Sequence, residues 1–268
     1  MQLNDKLVLV TGGSSGIGKQ VAADLLRAGA SVIIVSNCAD RLALALTELS
    51  TIASRVYSLE CDVGDTASVT RMADRVLAEH GCPDILINNA GFATYRTFEA
   101  TPMEEMERLV SVNMVGAMRC TKVFLPAMIA RRSGTIVNMA SVAGRLVITP
   151  NGTYCAAKHG MVAWSETLKY ELAHFNIQVN VVCPGRVETP FFEHETFQAR
   201  TQRAETRYTI TLEDVSRATL KAITGNRFLT YVPWTFGLMY WLLNSLPFIL
   251  KPIYGKLISN RIKTIYQR

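Results

Sequence analysis

Short apolar runs return along this chain, separated by longer stretches in which apolar residues recur at helical spacing. The runs are Leu7 to Val10, Val32 to Val35, Val56 to Glu60, Ile85 to Ile87, Gly134 to Asn138, Gln178 to Val182 and Phe228 to Val232. Each has the length of a strand, and most are rich in Val and Ile, whose branched side chains suit a pleated surface. After the first run, Val21, Leu25 and Leu26 mark one face of a helix. Strand and helix in alternation predict an α/β fold: a doubly wound parallel sheet of about seven strands with helices on both faces.

Composition supports one such unit. The chain has 268 residues, 49% hydrophobic and 19% charged, enough to bury a sizeable core. It carries no Gly- or Ser-rich linker and no internal repeat. The first apolar run starts almost at Met1, which leaves no room for a secretory leader and predicts a reduced, cytoplasmic setting. The six cysteines, at 38, 61, 82, 120, 155 and 183, form no C-x-x-C pair and no grouping with the four histidines, so no metal site is expected. Cys155, next to Tyr154, reads as a packing thiol.

Two features bear chemistry. Tyr154 and Lys158 stand four residues apart, on one face of a helix, so that an ammonium can approach a phenol and favour its ionised form. Ser141, thirteen residues upstream, can hold a substrate oxygen. At the other end, Thr11-Gly12-Gly13-Ser14-Ser15-Gly16-Ile17-Gly18 lies between the first strand and the first helix. That order places backbone N–H groups and a helix N-terminus against a pyrophosphate. Its spacing, Gly-x-x-x-Gly-x-Gly, differs from the commoner Gly-x-Gly-x-x-Gly.

Thr11 to Gly18, Asn88-Asn89-Ala90-Gly91, Asn113, Ser141, Tyr154-x-x-x-Lys158 and Pro184-Gly185 stand in the order and near the spacings of the short-chain dehydrogenase/reductase family, which the chain resembles from about residue 5 to 232. The resemblance implies a Rossmann-type catalytic domain over residues 1–232, followed by an extension over 233–268. It implies that Tyr154 is the general acid in reduction, that Lys158 lowers its pKa and binds the nicotinamide ribose, that Ser141 orients the carbonyl, and that Asn113 holds a relay water. Around the cofactor it implies Thr11, Gly12, Ser14, Ser15, Gly16, Ile17 and Gly18 in the turn. Asp62 and Val63 would lie at the adenine, Asn89, Ala90 and Gly91 at the adenosine wall, and Pro184, Gly185, Val187 and Thr189 on the nicotinamide side. A homodimer or homotetramer is also the family expectation.

Cofactor choice depends on the end of the second strand. NAD-preferring relatives place an acid there, which accepts from the ribose hydroxyls and repels a 2′-phosphate. This chain has Ser36, so NADP(H) is favoured and NAD(H) allowed. Asn37 stands where NADP-preferring relatives often carry Arg; Arg41 or Lys19 are the alternative sources of positive charge.

From Leu229 to Leu250 there is no charged residue, and Lys251, Lys256, Arg261, Lys263 and Arg268 follow with no acid. The stretch has the length of a membrane span, but Pro233, Asn244, Ser245 and Pro247 interrupt it. Three readings remain: a peripheral contact with the cytosolic face of a membrane through residues 229–268, a lid over the substrate cleft, or a subunit contact. No motif for reading nucleic acid accompanies the basic charge. Residues 190 to 210 correspond to the family's substrate flap; Phe191 and Phe192 predict an apolar entrance, with Glu193, Glu195, Arg200, Arg203, Glu205 and Arg207 on its wet side. A lipophilic ketone follows as the expected substrate. The chain is similar to reductases of 3-keto sphingoid bases, while 3-ketoacyl and hydroxysteroid reductases share the same core. A non-catalytic NADP(H)-binding sensor or scaffold is the reading from another class.

Overall fold

A computed structural model of the protein describes residues 2–187, 189, 191, 195–198 and 210–266. Seven strands form one sheet: β1 (Leu7–Thr11), β2 (Ser31–Ser36), β3 (Val56–Glu60), β4 (Ile85–Asn88), β5 (Gly134–Met139), β6 (Ile177–Pro184) and β7 (Leu229–Val232). Their order is β3-β2-β1-β4-β5-β6-β7, and every pairing is parallel. All seven predicted strands are therefore present, each within a residue or two of its expected ends.

Both faces of the sheet are covered, and the strand residues divide between them by simple alternation. Val8, Val10, Val32 and Ile34 point into one apolar layer, with Val21 and Leu25 of α1 (Gly16–Arg27), Leu42 of α2 (Ala39–Ser50) and Val215 of α8 (Leu212–Thr224). Leu9, Ile33, Leu86 and Ile136 point into the other. There they meet Val76 of α3 (Thr66–Glu79), Phe124 of α5 (Gly116–Ala130) and Leu168 of α6 (Gly152–Leu172). Such two-sided burial explains why the strands read as apolar runs rather than alternating patterns.

Because the strands are parallel, all their carboxyl ends lie on one edge of the sheet. The order reverses between β1 and β4, which leave that edge in opposite directions and open a crevice between them. Polar side chains brace the sheet behind it. Asn88 Nδ2 donates to Asn138 Oδ1 at 2.8 Å, and Asn138 Nδ2 donates to Ser165 Oγ of α6 at 2.7 Å. This buried chain of amides fixes β4, β5 and α6 relative to one another.

After β4, α4 (Met103–Val110) runs through a π-helical turn at Ser111–Val115 into α5. Short α7 (Glu195–Gln198) lies in the stretch after β6. The expectations for Pro190, Phe192, Glu193, Arg200, Arg203, Glu205, Arg207 and the side chain of Glu195 lie outside the described residues. Beyond β7 the extension forms two helices, α9 (Thr235–Ser245) and α10 (Pro247–Tyr266), broken at Leu246. Among the described residues no helix is long and apolar enough to cross a membrane.

Candidate active site

The glycine turn leaves β1 under tight steric limits. Gly12 has φ +66° and Gly16 φ +51°, in the left-handed region that glycine adopts without strain. A side chain at Gly18 would overlap the Gly12 carbonyl and Asn89 Nδ2, so the third glycine lets α1 start directly against the turn. Thr11 and Asn89 bind the turn to the loop after β4. Thr11 Oγ1 accepts from the Asn89 and Ala90 N–H groups at 3.0 and 3.1 Å, and Asn89 Nδ2 donates to the Thr11 and Gly12 carbonyls at 3.0 and 3.2 Å.

The N-terminus of α1 is uncapped, unlike those of α3 and α8. Asp65 caps α3 by accepting from the Ala67 and Ser68 N–H groups, and Thr211 with Asp214 forms a capping box on α8. At α1 the N-cap is Ser15, whose side chain makes no capping bond, and the first turn holds no acidic residue. The positive end of that helix dipole is left facing the crevice, which suits a bound phosphate. A dinucleotide fits this edge on these grounds: an uncapped helix end, a turn of glycines closed against β4, and Thr189 lying against Gly16 on the far side.

At the end of β2, Ser36 is nearly buried. Its hydroxyl meets Ser14 Oγ at 2.9 Å and accepts from the Cys38 N–H at 3.3 Å. Of the two cations considered at this end, Lys19 is committed to Glu48 at 2.6 Å. Arg41, on the first turn of α2, is exposed, makes no ion pair among the described residues, and hydrogen bonds Cys38. Of the two, Arg41 is the cation not held by a carboxylate among the described residues. After β3, Asp62 accepts from the Gly64 N–H at 2.8 Å and from Arg108 Nη2 of α4 at 2.6 Å. Arg108 stands 46 positions away, so no local pattern announces it.

The four reactive residues converge at the ends of β4 and β5. Tyr154 is 9% exposed, Lys158 3% and Asn113 0%. Ser141 begins the turn after β5; its Oγ accepts from the Ala143 N–H at 3.1 Å, donates to the Pro184 carbonyl at 3.4 Å, and hydrogen bonds the Tyr154 phenol. Lys158 Nζ donates to the Met139 carbonyl at 2.8 Å and sits 5.8 Å from the Tyr154 ring centroid. Asn113 lies in the π-helical turn, where its Nδ2 donates to the Phe92 and Leu109 carbonyls at 2.8 and 2.9 Å. Its Oδ1 is buried with no hydrogen-bond partner, beside Gly91 and toward Lys158. A buried acceptor of this kind calls for a water.

Burial is the largest influence on the proton equilibria of both Tyr154 and Lys158. Burial pushes the phenol upward, opposed by the hydrogen bond with Ser141, and burial also pushes the Lys158 ammonium down, to about 8. Both groups are driven toward their neutral forms because neither faces water. A phenol that keeps its proton is the form a general acid needs.

The roof over Tyr154 is apolar and aromatic. Phe191 stacks edge-on against the Tyr154 ring with centroids 5.9 Å apart, and Tyr95 meets Phe197 at 5.7 Å. The Tyr95 N–H donates to Thr196 Oγ1 at 2.9 Å, joining the segment after β4 to the flap. Tyr95 and Phe197 escaped the sequence reading, which found only the Phe191 end of this roof. Cys155 packs as expected: its Sγ meets the Ile148 N–H and carbonyl, both at 3.4 Å, and steadies the loop beyond Ser141. All six cysteines are free thiols.

The extension touches the site from behind. Phe236 of α9 packs against Gly185, leaving no space for a side chain there, and the Gly185 N–H donates to Val232 at 2.8 Å. Arg145 lies 5.2 Å from the Tyr240 ring centroid, and Tyr254 Oη of α10 donates to the Val147 carbonyl at 2.7 Å. Val187, also buried, pairs with Ile210.

This fold and this set of residues define an oxidoreductase of Rossmann type. The chain belongs to the short-chain dehydrogenase family, whose profile matches residues 6–199. It is 32% identical over 221 residues to ketoacyl reductase HetN from a Nostoc species, covering 82% of this chain and 76% of that one. A short chain dehydrogenase/reductase from Burkholderia phymatum in complex with NAD superposes with TM-score 0.82 at 25% identity, covering 91% of this chain and 95% of that one. A short-chain dehydrogenase from Sphingobium yanoikuyae in complex with NADPH gives TM-score 0.80 at 25% identity, over 92% and 95%.

Proposed function

We propose that this protein is an NADP(H)-linked reductase that converts a ketone on a lipophilic substrate, such as a 3-keto sphingoid base, to a secondary alcohol, with the reverse oxidation allowed. Residues 1–232 are the catalytic unit in this reading. When bound, the cofactor supplies the hydride. Tyr154 donates its proton to the carbonyl oxygen, Ser141 orients that oxygen, Lys158 holds the nicotinamide ribose hydroxyls, and a water on Asn113 Oδ1 returns the proton.

The observation that carries the reading is the environment of Tyr154. The phenol is buried, hydrogen-bonded to Ser141, kept protonated by desolvation, and roofed by Phe191 and its aromatic neighbours. An apolar roof favours a substrate with an apolar body and one polar group. The absence of an acid at Ser36 and the exposed Arg41, which no carboxylate among the described residues neutralises, support NADP(H), with NAD(H) also accepted. A 3-ketoacyl substrate is the second reading, supported by the name of the Nostoc relative.

The test is NADPH oxidation by the purified protein, with NADH in parallel. The panel holds a 3-keto sphingoid base, a 3-ketoacyl thioester, a ketosteroid and a small polar ketone. Turnover on a long-chain ketone with NADPH is expected. Turnover on the polar ketone alone would overturn the lipophilic assignment, and NADPH binding with silence on all four would point to a sensor.

A further inference from the structure

Helices α9 and α10 carry more apolar surface than the fold covers. On α10, Leu250, Tyr254 and Ile258 form a half-buried line. Ile249, Ile253 and Leu257, one position before each, are exposed, as is Lys256 on the same side. Phe248 is 92% exposed. On α9, Leu243 is buried, whereas Trp234, Leu238, Trp241 and Leu242 stand outward at helical spacing. These outward residues form a patch of a kind that soluble surfaces seldom leave uncovered.

Charge identifies what covers it. All 22 acidic residues precede Val215, and residues 229–268, which include α9 and α10, hold five basic residues and no acid. A second copy seated on this face would set like charge against like. An anionic surface supplies the complement, and exposed tryptophans and lysines suit the boundary between headgroups and acyl chains. Neither α9 nor α10 is long and apolar enough to cross a bilayer.

We propose that α9 and α10 form a docking surface for an anionic lipid bilayer, lying in the headgroup boundary rather than crossing it. The Tyr254 bond to Val147 and the stacking of Arg145 on Tyr240 tie this surface to the loop that follows Ser141. Docking therefore holds the loop beside the reactive residues against the membrane. The inference does not depend on the substrate assigned above, and its test uses neither substrate nor cofactor.

The experiment is flotation of the full chain with phosphatidylcholine vesicles, with and without phosphatidylserine, at low and high salt. Co-flotation with the anionic vesicles is expected, weakened by salt and accompanied by a blue shift of tryptophan emission. Replacing Lys251 and Lys256 together by Gln should weaken anionic binding about thirtyfold at low salt. Phe248→Glu with Ile253→Glu, both exposed and outside the core, should abolish binding while leaving the melting temperature unchanged. Equal affinity for neutral and anionic vesicles, or no flotation with either, would overturn the proposal. So would a concentration-dependent dimer that these same substitutions dissolve in the absence of vesicle binding.

Discussion

Gly91 and Asn113 approach so closely that a methyl group on Gly91 would overlap Asn113 Oδ1 and come within 3.8 Å of Lys158 Nζ. The glycine after β4 thus borders a buried acceptor that has no partner. Gly91→Ala should displace that amide and lower kcat about a hundredfold, the effect of misplacing a group by about 1 Å. Unchanged kcat would mean that Asn113 Oδ1 has no part in turnover.

Lys158 is held at a cost to stability. Its pKa is pushed from the ordinary 10.5 to about 8 by burial, so between those values the unfolded chain binds the extra proton and stability rises with pH. Below pH 8 the full penalty applies, on the order of 3 kcal/mol. Lys158→Met removes it but strands the Met139 carbonyl, which offsets about 1–2 kcal/mol. Without cofactor, the variant should be about 1–2 kcal/mol more stable than the parent at pH 7, lose its advantage toward pH 10.5, and be inactive. Denaturant melts at several pH values check this.

Cofactor preference should follow the end of β2 and the start of α2. Arg41→Ala should weaken NADPH about tenfold and leave NADH nearly unchanged, since only the former carries a 2′-phosphate. Ser36→Asp should shift preference toward NADH by repelling that phosphate, although it also breaks the Ser14 contact. Equal loss for both cofactors from Arg41→Ala would remove Arg41 from the specificity position.

Phe236 links the extension to the cofactor edge. Phe236→Ala should open a cavity beside Gly185 and Ile210 and lower stability by about 2 kcal/mol, less than a fully buried phenylalanine would. A thermal melt unchanged from the parent would show that α9 is only loosely attached.

The strands were legible in the sequence because a parallel sheet covered on both faces makes each strand an apolar run, as Val32 to Val35 shows. Tyr154, Lys158 and Ser141 were legible because short spacings and their order carry them. What was hidden depends on distance through the fold. The Asp62 to Arg108 pair spans 46 positions, and the Tyr95 N–H reaches Thr196 across 101. The direction of the Tyr154 and Lys158 shifts was hidden too, since i, i+4 spacing gives proximity on a helix but not the burial that outweighs it.

We propose Tyr154 as the proton donor. This role is tested most directly by comparing Tyr154→Phe with the parent in NADPH oxidation on a long-chain ketone, with NADPH affinity measured by fluorescence in the same preparations. The variant should keep the fold and bind NADPH within about twofold of the parent, while kcat falls by at least about a thousandfold. Turnover near the parent's, with binding intact, would contradict the account.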